Sequence, residues 1–114
     1  IAIVDRNHCQ IDNRTENVME IEPLADKWRS FGWHVLECDG NNIEQFLATM
    51  GQAQALKGKP TVIIAKTFMG KGVSFMEDDY KWHGVPPNDE QGKQALSEIA
   101  PTKHGDFITF DWEK

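Results

Sequence analysis

Two cysteines, Cys9 and Cys38, among 114 residues are too few for a disulfide framework, and a reduced, cytosolic setting is the expectation. Basic residues are also short: 12 Lys and Arg stand against 18 Asp and Glu, a formal charge of −6. A surface that tracks nucleic-acid phosphates needs clustered Lys and Arg, so nucleic-acid binding is excluded as an expectation. Long hydrophobic runs are missing. A stretch such as Val62-Ile-Ile-Ala65 is far too short to span a bilayer, and no membrane association is expected. No secretory signal is expected, and neither an internal repeat nor the GxxxxGK[ST] pattern of a nucleotide P-loop is found in the 114 residues. The acidic balance does not exclude an anionic ligand, because helix N-termini or a bound metal hold phosphates locally.

What the chain does have is a patterned α/β signal. Three Val/Ile-rich runs, Ile1–Asp5, Trp33–Asp39 and Thr61–Thr67, read as strands, and the first and third lack polar alternation. That is the pattern of parallel strands covered on both faces. Helical stripes lie between and after them. Ile21, Leu24, Ala25, Trp28 and Phe31 share one face, with Pro23 in the first turn and Gly32 at the end. Ile43, Phe46, Leu47, Met50 and Ala53 form a second stripe, with Asn41 and Glu44 as its capping pair. A third helix is capped by Asn88 with Gln91, presents Ala95, Leu96 and Ile99 inward, and stops at Pro101. Strand–helix alternation of this kind predicts a parallel sheet with flanking helices and right-handed crossovers.

Three parallel strands make a thin sheet, and the chain opens in an apolar run without a starting Met. The expectation is therefore a partial domain of a larger protein. The tail, 101–114, carries Phe107, Ile108, Phe110 and Trp112 and reads as a linker or a segment that needs a partner surface.

In a parallel sheet the strand C-termini share one edge, where α/β proteins bind ligands. The loops Asp5–Asp12, Asp39–Asn42 and Thr67–Gly72 belong to that edge. Asn7, with a backbone carbonyl at Cys9, offers hard oxygen ligands for Mg²⁺ or Ca²⁺; the plainer reading is that Asn7 caps a turn. Gly70-Lys71-Gly72 either lets the backbone approach a ligand or is a strand-exit turn. His83, between Trp82 and Gly84, is either an acid/base or substrate-binding group or an exposed loop histidine. A zinc site from His8, Cys9, His34 and Cys38 fits poorly, because the spacings are wrong. Cys38 reads as a small buried apolar residue.

Collinear segments then give the chain a resemblance. Ile1-Ala-Ile-Val-Asp5-Arg-Asn7-His-Cys9-Gln-Ile11-Asp12 resembles the second half of the cofactor motif of the transketolase family. Glu22-Pro-Leu-Ala-Asp-Lys-Trp-Arg-Ser-Phe-Gly32-Trp-His-Val is similar to that family's next helix and strand. Lys59-Pro-Thr-Val-Ile-Ile-Ala-Lys-Thr67-Phe-Met69-Gly70-Lys-Gly72 is similar to its third strand and glycine turn, and Trp82-His83-Gly84 to its substrate-site loop.

The resemblance implies the second half of a thiamine-diphosphate-binding domain over residues 1–100. It implies thiamine diphosphate and Mg²⁺ or Ca²⁺ as cofactors, and transfer of a two-carbon ketol unit between sugar phosphates. Asn7 matches the metal-coordinating asparagine, and Cys9 the position whose carbonyl binds the metal. Ile11 and Met69 match apolar residues that pack on the cofactor. His83 matches a histidine near cofactor and sugar, where it would meet hydroxyls. The Gly-Asp-Gly half of the motif is not within the 114 residues, nor is the glutamate that activates the aminopyrimidine, which the family supplies from another domain across a dimer interface. Remaining segments or a second subunit, in a homodimer or heterotetramer, are thus implied, and the chain alone is expected to be inactive. The competing expectations are a 1-deoxyxylulose-5-phosphate synthase, a 2-oxo-acid dehydrogenase subunit, or a non-catalytic assembly subunit with the same fold.

Overall fold

A computed structural model describes residues 1–99, so the readings made for the 101–114 tail and its aromatic residues lie outside the described residues. Three parallel strands, β1 (Ala2–Arg6), β4 (His34–Asp39) and β5 (Thr61–Lys66), form one sheet in the order β1-β5-β4. Ile63 of β5 is level with Ile3 on one side and Leu36 on the other. The last strand thus enters between the first two, and the chain reaches it through helices α2 (Leu24–Ser30) and α3 (Ile43–Ala55). Helix α4 (Asp89–Glu98) follows a long loop that contains a 3-10 turn, Tyr80–His83.

Burial separates the strands. From Thr61 to Ala65 every residue of β5 is buried, and Val62 and Ile63 are fully enclosed. The unbroken apolar run is the signature of this central position. Strand β1 opens in a shorter apolar run, ends in Asp5 and Arg6, and lies at the edge. Helix α2 packs on β4, and α3 on β4 and β5, so Ile3 remains 52 % exposed. The expectation that β1 is covered on both faces is corrected to that extent.

Helix boundaries follow local chemistry. The Asn88–Gln91 capping box forms as expected: Asn88 Oδ1 accepts the Gln91 N–H at 2.9 Å and Gln91 Oε1 accepts the Asn88 N–H at 3.0 Å. The cap of α3 is shifted by one residue, to Asn42 accepting from Gln45 N at 3.1 Å. Asn41 instead accepts the N–H of Phe68 at 2.8 Å, a tertiary bond that outranks its local capping propensity. Pro23 is the N-cap of α2 rather than a first-turn residue, and Gly32, at φ +82°, follows that helix. Phe31, Ile43, Leu47, Leu96 and Ile99 were expected inside and are exposed; Ala53 and Ala95 carry the tight contacts. A hairpin of two-residue strands, β2 (Cys9–Gln10) and β3 (Asn13–Arg14), and the single-turn helix α1 (Thr15–Val18) are additions to the sequence reading. No helix among the described residues is long and apolar enough to cross a membrane.

Candidate functional site

The strand ends on the C-terminal edge are laced together. Thr67 Oγ1 donates to Asp5 Oδ1, tying the residue after β5 to the end of β1. Thr67 N–H donates to Arg6 O at 3.3 Å, and Gly40 N–H to Lys66 O at 2.7 Å. A Cβ on Gly40 would lie 2.6 Å from Thr67 Cγ2 and 2.9 Å from Ala65 Cβ, so glycine allows this close approach. The three loops expected to share an edge do share it.

Asn7 leaves β1 at this edge, half-buried. Its Oδ1 accepts the Cys9 N–H at 2.9 Å, so the turn-capping role is real. An amide oxygen has two lone pairs, and one remains free for a cation. The following backbone is under tension: His8 is at φ +60° and Ile11 at φ +46°. A β-branched residue in the left-handed region costs on the order of 1–3 kcal/mol and persists only where its surroundings impose it. Here the β2–β3 pairing and the Thr15 N–H to His8 O bond, 3.0 Å, impose it. Burial pushes the Cys9 thiol above its ordinary pKa. An amide oxygen and a carbonyl suit a hard divalent cation, and the donor chemistry of the turn fits Mg²⁺ or Ca²⁺. Among the described residues no three His, Cys, Asp or Glu side chains cluster to hold a metal, so the zinc grouping does not assemble there.

The second wall is the loop after β5. Met69 O accepts the Asp78 N–H at 2.8 Å, closing the loop on itself. Gly70 sits at φ +65°, and a Cβ there would be 2.7 Å from Met76 O. Lys71 Nζ pairs with Glu77 at 2.7 Å and holds that carboxyl below its usual range. Trp82 anchors the 3-10 turn by donating Nε1–H to Phe75 O at 2.8 Å, with its ring edge-on to Phe75. Asp79 caps the turn by accepting Lys81 N–H at 3.0 Å. His83 ends it, exposed.

The two walls meet. Ile11, from the Asn7 turn, and His83, from the far loop, line one cavity of about 340 Å³ together with Asp12, Tyr80, Lys81 and Val85. Asn7, Cys9 and Met69 do not line that cavity; Asn7 and Cys9 precede Ile11 in the same turn, and Met69 is tied to the far loop by its carbonyl, which accepts the Asp78 N–H. Another cavity, of about 450 Å³, is bordered by Glu16, Glu20, Glu22 and Glu37, with Arg6 already engaged by Glu22. Its carboxylates oppose an anionic ligand. Sequence reasoning missed the ion pairs Arg6–Glu22 and Arg14–Asp78. Both join residues distant in the chain, and no local periodicity signals them.

The family described as transketolase, thiamine diphosphate binding domain, matches residues 1–108. The chain is 42% identical over 100 residues to one subunit of an apulose-4-phosphate transketolase from Phocaeicola vulgatus, covering 88% of this chain and 36% of that protein. It is 41% identical over 99 residues to a 6-deoxy-6-sulfo-D-fructose transketolase subunit from a Clostridium species, covering 87% of this chain and again 36% of the relative. Among solved structures, a Campylobacter jejuni transketolase superposes with a TM-score of 0.75 at 30% identity, over 83% of this chain and 15% of that one. The chain thus spans about a third of the length of the subunit-type relatives and less of the longer ones.

Proposed function

The chain belongs to the transketolase thiamine-diphosphate-binding domain family, and from that premise we propose that it forms the second half of the cofactor domain of a working transketolase. The reaction is transfer of a two-carbon ketol unit from a ketose phosphate, or a related anionic ketose, to an aldose phosphate. When bound, thiamine diphosphate supplies the nucleophilic thiazolium carbon and the electron sink.

The chain's own residues bind and orient. Asn7 Oδ1 and the Cys9 carbonyl would hold a divalent cation, which would supply positive charge to offset the cofactor's diphosphate. Ile11, from the cavity wall, and Met69, from the loop after β5, would pack against the cofactor and exclude water from it. His83 hydrogen-bonds substrate hydroxyls and moves a proton at one of them. The observation that carries this reading is the shared cavity of Ile11 and His83, which brings the turn that begins at Asn7 to the histidine loop.

Both closely similar subunit-type relatives are named as subunits. We take this chain likewise to work with further segments or a second subunit that contribute the Gly-Asp-Gly half of the motif and the activating glutamate. The cytoplasm suits such chemistry and the two unpaired cysteines.

The test is a carbon-balance assay on the assembled enzyme with thiamine diphosphate and Mg²⁺ or Ca²⁺. Ribose 5-phosphate is the acceptor; xylulose 5-phosphate, 6-deoxy-6-sulfo-D-fructose and apulose 4-phosphate are the donors. Ketol transfer from at least one donor is expected. Release of carbon dioxide from a 2-oxo acid, or no cofactor binding at all, would reject the reading in favour of another thiamine-diphosphate enzyme or a non-catalytic subunit.

A further inference from the structure

We propose that Arg14 and Asp78 are positioning residues whose ion pair locks the His83 loop against the turn that carries Asn7 and Cys9. The proposal rests on the roles given above to Asn7 and His83.

The geometry is a fork on a fork. Arg14 Nη1 donates to Asp78 Oδ1 at 2.7 Å and Nη2 to Oδ2, while Nη2 also reaches Asp78 O at 3.3 Å. Arg14 ends the β2–β3 hairpin opposite Cys9, and its guanidinium lies 3.9 Å from Cys9 Sγ. It is thus rigidly connected to the Asn7 turn. Asp78 is equally tied on its side. Its backbone is left-handed at φ +60°, its N–H is held by Met69 O at 2.8 Å, and the next residue caps the turn that ends in His83. Asp78 therefore joins the Asn7 turn through its carboxylate and Met69 through its backbone N–H, one residue before the cap of the His83 turn.

The pair is built to hold. Its side chains are 29% and 35% exposed, so it is partly desolvated and screened less than a surface pair. A bidentate guanidinium fixes direction as well as distance, which a lysine ammonium does not. Charge matters too. Glu77, Asp78 and Asp79 form an acidic run immediately before Tyr80 and Lys81, which line the cavity shared by Ile11 and His83. Lys71 engages Glu77, Arg14 engages Asp78, and Asp79 accepts a backbone N–H. Arg14 thereby compensates the carboxylate at the centre of that run.

A pair that acts by aiming His83 has a signature that general scaffolding lacks: its effect vanishes once His83 is gone. The experiment is a double-mutant cycle in the assembled enzyme, reading kcat, donor KM and thiamine-diphosphate affinity. Asp78→Asn keeps the shape of the side chain and its backbone bond. It should lower kcat/KM for the donor on the order of 10- to 100-fold, the cost of a misplaced group. In the His83→Ala background the same change should cost less than about twofold, the limit of additive error. Cofactor affinity should stay within about threefold, below half of the 1.4 kcal/mol that marks a tenfold change. Arg14→Lys, which keeps the charge and loses the fork, should show the same dependence on His83 and carries the cycle if Asp78→Asn does not fold. Equal losses with and without His83, or no loss in either background, overturn the proposal. Full turnover by His83→Ala overturns the role of His83 and this inference with it. A parent enzyme with no affinity for thiamine diphosphate overturns the function itself.

Discussion

Arg6 and Glu22 form an ion pair between an enclosed strand end and the entry to a helix. Arg6 Nε donates to Glu22 Oε1 at 3.0 Å, and the other oxygen of the same carboxylate accepts the N–H of Leu24 at 2.8 Å. The Arg6 side chain is 6% exposed and that of Glu22 49%. One acid thus neutralises a buried cation and caps α2, whose N-cap is a proline with no side chain to do so.

Removing the acid leaves a buried guanidinium without a partner. Loss of one member of a buried pair costs about 3–5 kcal/mol; solvent around Glu22 reduces this to roughly 1–3 kcal/mol. Glu22→Ala is expected to lower the melting temperature of the assembled protein clearly, and Glu22→Asp, too short to serve both roles, partly. An unchanged transition in Glu22→Ala would show that Arg6 is solvated by other means.

Acid should act on the same pair and on Arg14–Asp78. The Leu24 N–H and Arg6 hold the Glu22 carboxyl below its ordinary 4.5, and the Arg14 guanidinium holds Asp78 below its ordinary 3.8. A depressed folded-state pKa means stabilisation that is full above the unfolded value and lost as pH falls through the folded one. Stability should therefore be flat through neutral pH and fall below about pH 4.5, with Glu22→Gln and Asp78→Asn each flattening the decline. Chemical denaturation at stepped pH reads this directly. A decline already under way at pH 6 would assign the acid sensitivity to other groups.

Gly70 is where the loop after β5 crosses its own return. A side chain there meets the Met76 backbone at 2.7 Å, and φ +65° disfavours any L-residue with a Cβ. Gly70→Ala should destabilise by about 1–3 kcal/mol and loosen the loop that carries Met69 and His83. Gly51→Ala, within α3 where an added Cβ meets nothing within 4 Å, is the contrast and should stabilise by up to about 1 kcal/mol. The two melting curves should move in opposite directions.

The sheet was legible because its signal is local. Central β5 announces itself by an unbroken apolar run, and the βα alternation leaves few topologies. The Asn88–Gln91 box was equally readable, since both partners lie within one turn. What sequence did not reveal was decided at a distance. Edge against centre for β1 depends on which strand β5 joins, and Asn41 gives up capping for a bond to Phe68 across the sheet edge. The two-residue strands of the hairpin are too short to carry periodicity. At the site, Asn7 and His83 were candidates by placement and took their roles from motif resemblance, whereas Arg14 and Asp78 lie in no motif and became visible only when the fold brought them together.

Asn7 and Cys9 should separate side chain from backbone. Asn7 offers a second amide lone pair beyond the one that accepts the Cys9 N–H, while Cys9 is assigned only its backbone carbonyl. In the assembled enzyme, Asn7→Ala should weaken thiamine-diphosphate and Mg²⁺ binding by on the order of 10–100-fold, the scale of disturbing a metal site's support. Cys9→Ala keeps the carbonyl and should bind within a few-fold of the parent. Calorimetric titration gives both constants. Equal affinity of Asn7→Ala and parent would leave Asn7 as a turn cap and no more.

His83 is the residue whose loss should divide activity from stability. It is exposed at the end of a 3-10 turn whose anchors are its neighbours: Trp82 Nε1–H bonded to Phe75 O, and Asp79 at the cap. None of those bonds passes through the imidazole. His83→Ala should leave the melting temperature unmoved while cutting turnover on the order of 10²–10⁴-fold, the range for a positioned acid/base group. His83→Gln, which retains a hydrogen-bond donor and acceptor without a group that titrates, distinguishes the two parts of the role. Recovery of donor KM without kcat would assign hydroxyl binding to polarity and turnover to proton transfer. Full recovery of both would make His83 a hydrogen-bonding group alone. A large drop in melting temperature with turnover intact would make it structural.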